Sequence, residues 1–154
     1  MNPSHRLTEL GLSLPTPARP TFKYVPVVVH GGLAFVSGQL PWVDGEIKTV
    51  GLLGATISLE QGKEAARICG LQALACLEQA LGSIDQIVRI IKLTGFVQST
   101  SDFHQQPSVI DAASELMFDI FGEEGRHARS AIGVAALPRN APVELEVIVA
   151  VRTR

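Results

Sequence analysis

Aromatic residues are scarce in this chain of 154 residues, at 5% of positions with one tryptophan and one tyrosine. A basic stripe interleaved with aromatics, on which single-stranded nucleic acid stacks, cannot be located, and a net charge of -2 offers polyanions no general attraction. Nucleic acid is therefore not an expected partner. No apolar run approaches the roughly 20 residues needed to cross a bilayer, and the opening MNPSHRLTEL lacks the basic-then-apolar order of a secretory leader. We expect a cytoplasmic chain with no membrane partner. The two cysteines, Cys69 and Cys76, fall on one face of a predicted helix where no disulfide can close between them, and are expected to be buried reduced thiols. His5, His30, His104 and His127 show no metal-ligand spacing, so no metal is expected, and His127 is read as a loop histidine.

Charge is also in short supply. Only 18% of residues are charged against 46% hydrophobic, and mean hydropathy is +0.26. A chain of this length forms one domain, and this much apolar side chain exceeds what a lone small domain readily hides. Subunit contacts follow as an expectation.

The pattern along the chain is that of an α+β domain. Residues 1–20 are read as a short helix, Ser4 to Leu10 with Ser4 as N-cap, followed by the proline-rich linker LSLPTPARP; residues 21–154 carry the main domain. YVPVVVH and LAFVSGQ, joined by Gly31-Gly32, predict a hairpin, and Asp44-Gly45 between apolar residues predicts a second tight turn. Ser58 and Gln61 have capping-box form, opening a long helix that ends at Gly82. IVRIIKLTGFVQS predicts a strand with a glycine at a bend, Pro107 opens a second helix running to Gly122, and RSAIGVAAL and VELEVIVAV predict two final strands. The expected result is a two-layer sandwich: a mixed or antiparallel sheet with two helices on one face and the other face in need of cover.

Three places could carry chemistry. Arg129 begins a strand of small and apolar residues, where a planar guanidinium suits bidentate capture of a carboxylate; a structural ion pair with Glu123, Glu124 or a sheet carboxylate is the other reading. Glu144 and Glu146 lie two apart on VELEVIVAV and so share one strand face, opposite Val143, Leu145 and Val147. Carboxylates there are either ion-paired or solvated, or do acid-base work with a raised pKa. Ser37-Gly38-Gln39 ends the first hairpin at a glycine that permits close approach of backbone or ligand, or is an ordinary turn.

Taken together, YVPVVVHGGLAFVSGQLP, SLEQGKEAARICGLQAL, VRIIKLTGFVQSTSDF and above all HARSAIGVAALPRNAPVELEVIVAV resemble the RidA/YjgF family of reactive-intermediate deaminases, also called endoribonuclease L-PSP. The resemblance runs from about Tyr24 to the C-terminus. It implies a chorismate mutase-like fold assembled as a homotrimer, with sheets forming a central barrel and clefts between subunits. It also implies hydrolysis of enamine and imine acids such as 2-aminoacrylate to 2-keto acids and ammonia, without a cofactor. Arg129 matches the arginine that clamps the substrate carboxylate, and Glu144 the acid that handles the attacking water. Tyr24, Ser37, Gly38 and Ser130 match the substrate-binding wall, with Asp111 nearest to an asparagine of the family. Ala131 stands where many members have cysteine. A non-catalytic trimer binding small carboxylates, and an endoribonuclease, are the alternative functions.

Overall fold

The structure is a computed structural model that describes residues 2–153. A short helix, α1 (Pro3–Glu9), precedes the hairpin β1 (Val27–His30) and β2 (Leu33–Gln39), and then the small ribbon β3 (Trp42–Val43) and β4 (Glu46–Ile47). The long helix α2 (Leu59–Leu81) leads to β5 (Ile87–Gln98), α3 (Gln106–Phe121), β6 (Ala128–Val134) and β7 (Val143–Val151). The five-stranded sheet runs β1-β2-β7-β5-β6, with β5 and β6 parallel and the other pairs antiparallel. A parallel pair needs a crossover, and α3 supplies it. The mixed sheet with two helices on one face is the architecture expected from sequence.

Local chemistry sets the element ends. The Ser58 side chain accepts from the Gln61 amide at 3.1 Å while Gln61 accepts from the Ser58 amide at 2.9 Å, closing the capping box. Asp44 and Gly45 both take positive φ, 50° and 81°, the geometry a two-residue hairpin turn requires. One cap needs correction: Asn2, not Ser4, caps α1, because Pro3 is its first helical residue and the Asn2 side chain accepts from the Ser4 and His5 amides. Ser4 instead bonds outward, its hydroxyl donating to Asp85 at 2.9 Å. Leu7 of α1 is buried in the main core. The division of the chain at residue 20 stands as a proposal about sequence organisation, since packing joins both parts.

Alternation along β7 orients the site. Val143, Leu145, Val147 and Val149 are buried against the helices, each contributing about 1.5–3 kcal/mol on full burial. Cys69 and Cys76 lie in the same core as free thiols. Glu144 and Glu146 consequently face the other way, onto the helix-free face with Phe35 and Ile132, which are 42% and 47% exposed.

Gly95 in β5 serves space rather than a bend. A Cβ there would stand 2.9 Å from Ile110 Cγ2, with the rest of that side chain closer still, so its absence lets α3 pack onto the sheet. Gly95→Val should cost about 1–3 kcal/mol through overpacking. Urea unfolding checks this, as a lowered midpoint at constant slope.

Candidate functional site

The strand alternation that buries Val143 and Leu145 sets Glu144 over β2, where the register shifts between Val36 and Gln39. That bulge contains Ser37 and Gly38. A Cβ on Gly38 would collide with the Glu144 carboxyl group, whose Cδ would be only 2.9 Å away. Glycine is what lets the carboxylate lie against the bulge. Ser37 donates its hydroxyl to the Val25 carbonyl at 2.7 Å, tying β2 to the segment that carries Tyr24. A cavity of about 410 Å³ opens here, with Tyr24, Ser37, Gly38, Trp42, Arg139 and Glu144 among its walls.

Partial burial raises the pKa of Glu144 above the ordinary 4.5, and the neighbouring negative charge of Glu146 adds to the rise. A carboxylate poised this way takes up a proton more readily than an exposed one, as a general base must.

Arg129 lies elsewhere in the chain. Its register opposite Leu93 of β5 turns it to the helix side, over α3. Its Nη1 donates to Asp111 Oδ1 and to Ser114 Oγ, both at 3.1 Å. The Ser114 hydroxyl is 2.9 Å from His127 Nε2, and His127 Nδ1 is 2.6 Å from the Gly125 carbonyl. The carbonyl can only accept, so Nδ1 carries the proton and Nε2 accepts from Ser114. Arg129 does form an ion pair, but with Asp111 of α3 and not with Glu123, Glu124 or a sheet carboxylate. Glu123 and Glu124 hold Arg126 and Arg89 instead. A cavity of about 500 Å³ opens beside Arg129, between α3 and the start of β6, with Asp111, Ser114, Phe118 and His127 in its walls.

The structure thus brings Tyr24, Ser37, Gly38 and Glu144 together, and separately Arg129 with Asp111. Ser130 is exposed on the open sheet face. Reading the sequence alone missed Ser114 and the pair Arg139 and Trp42, whose guanidinium sits 4.9 Å from the indole centroid. The one tryptophan in an aromatic-poor chain was the available signal. Among the described residues no three His, Cys, Asp or Glu side chains gather in a way that could hold a metal ion. No helix there is long and apolar enough to cross a membrane.

Comparison with known proteins adds the kinship. Protein TCP17 of Trypanosoma cruzi is 44% identical over 144 residues, 93% of this chain and 90% of that one. The crystal structure of protein Atu1372 from Agrobacterium tumefaciens superposes with a TM-score of 0.90 at 44% identity, covering 97% of this chain and 92% of that one. That of E. coli TdcF with bound serine does so at 0.63 and 25%, covering 90% and 94%. The model of one family matches residues 4–150, nearly the whole sandwich with its helix-free face and both cavities, and so the chain belongs to the YjgF/chorismate mutase-like endoribonuclease family.

Proposed function

We propose that this protein hydrolyses reactive imino acids, the imine tautomers of enamines such as 2-aminoacrylate, to 2-keto acids and ammonia in the cytoplasm. The observation that carries this reading is Glu144: a half-buried carboxylate with a raised pKa, held against a glycine bulge in a cavity of substrate size. A water oxygen bonds to the imine carbon while Glu144 takes its proton. Glu144 returns that proton to the nitrogen of the resulting carbinolamine, and as the carbon–nitrogen bond breaks and ammonia leaves, the hydroxyl oxygen forms the carbonyl and gives its own proton to Glu144. No redox partner is required, and an imine protonated on nitrogen is electrophilic enough that positioning supplies much of the remaining acceleration.

Arg129 is the carboxylate clamp of this scheme. Because it opens into a different cavity from Glu144, the two meet in one cleft only if neighbouring copies contribute one each. The uncovered sheet face, with Phe35 and Ile132 exposed, is the surface on which a homotrimer would close. When substrate is absent Asp111 occupies the guanidinium; the incoming carboxylate displaces it.

The test is ammonia release from freshly generated 2-iminopropanoate, run beside an RNA substrate, with light scattering on the same sample. Imine turnover, intact RNA and a trimer mass are expected. A monomer mass at micromolar concentration would remove the shared cleft, and RNA cleavage without imine turnover would favour the endoribonuclease. A non-catalytic carboxylate binder would need Arg129 but has no use for a half-buried Glu144 with a raised pKa.

A further inference from the structure

Beside the Glu144 cavity lies a second compartment of about 530 Å³, lined by the proline-rich segment 15–19, Thr21, Trp42, the turn residues Asp44 and Gly45, Gln72 and Arg139, with Asp44 its one carboxylate. Arg19, Trp42 and Arg139 border both spaces. Neither arginine has a salt-bridge partner among the described residues, unlike Arg6, Arg89, Arg126 and Arg129. Arg139 is held by stacking on the Trp42 ring, on a backbone with φ 58° that a non-glycine residue seldom adopts. Trp42 is itself fixed from below, its carbonyl accepting from Gln72 Nε2 at 2.9 Å. Gln72 is 2% exposed, and among the described residues its Oε1 is the one buried side-chain oxygen without a hydrogen-bond partner.

Resting on the deaminase reading, we propose that the substrate carries a second carboxylate on its side chain, received by Arg19 and Arg139 in this compartment. The substrate class is then the dicarboxylic imino acids, released as 2-oxo dicarboxylic acids. Both arginines border the recess, each guanidinium offering the planar donors that suit a carboxylate, and stacking on Trp42 positions Arg139 before the ligand arrives. Arg19 and Arg139 are specificity-determining residues in this scheme, acting on the far end of the substrate from the reacting carbon.

Two measurements on the full-length protein test the proposal. In the first, kcat/KM is compared for a dicarboxylic imine and for 2-iminopropanoate, each generated in place by an amino-acid oxidase. The wild type is expected to favour the dicarboxylic imine by about 10-fold or more, the scale of one charge-assisted contact. The preference should collapse toward unity in Arg19→Gln/Arg139→Gln and survive in large part in Arg19→Lys/Arg139→Lys. The ratio is the readout, so a general loss of rate does not imitate the effect. In the second, calorimetry compares a 2-oxo dicarboxylate with pyruvate. Tighter binding of the dicarboxylate, lost in the glutamine double variant, supports the site even if no imine is turned over, in which case the deaminase reading alone falls. Equal affinity for the two acids, or a preference unchanged in the glutamine variant, overturns the proposal.

Discussion

Glu144→Gln should lower imine hydrolysis by about 10²-fold or more, the usual scale for removing a general acid-base group. The substitution keeps size and hydrogen bonding and removes only the ability to hold a proton as a carboxylate. Affinity for a keto acid should survive or improve, because one negative charge leaves the cavity while the arginines stay. Turnover is therefore the deciding measurement. Wild-type speed in the variant would end the water-activation role while leaving the fold and family untouched.

The pH dependence gives the same carboxylate a second signature. Its folded pKa is raised, chiefly by burial, so the folded state binds a proton more readily than the unfolded chain does. The stability it contributes is fully present below the ordinary 4.5 and is lost as pH rises through the folded value. At neutral pH the ionised group is thus a cost to folding, and Glu144→Gln should melt higher than the wild type at pH 7. Activity runs the other way, rising with pH on an acid limb whose midpoint lies above 4.5, and the glutamine variant should lack that limb. A variant both slower and more stable is the pattern of a site kept at the expense of stability.

Arg129→Lys is expected to reduce kcat/KM by about 10- to 100-fold, since hydrogen bonds to charged groups are worth roughly 1.5–3 kcal/mol and lysine cannot form the paired fork. The charge remains, so simple attraction is not what is lost. Steady-state kinetics with 2-iminopropanoate, alongside a melting curve near that of the wild type, would identify the defect as one of ligand geometry. Unchanged kcat/KM would mean that Arg129 serves only its ties to Asp111 and Ser114.

Much of this was legible in the chain because it is written in short-range patterns. The Ser58 box, the Asp44-Gly45 turn, Gly82 and the alternation through Glu144 and Glu146 each depend on residues within a few positions of one another. The α1 cap was misread between two competent side chains, though Pro3 held the answer. What stayed hidden depends on register and packing between distant segments. Nothing local reveals that Gly95 leaves room for Ile110, that Asp111 on α3 meets Arg129 on β6, or that Arg139 settles on Trp42. His127, read as a loop residue, joins Arg129 through Ser114 for the same reason.

The placement of Arg129 and Glu144 in different cavities has a genetic consequence. If each cleft draws one of them from either side of a subunit boundary, a chain lacking the arginine and a chain lacking the glutamate are defective in opposite halves. Co-expressed, the two would assemble into mixed rings, and every such ring would contain a junction where both intact halves face each other. Two alleles, each null alone, would then complement in one cell.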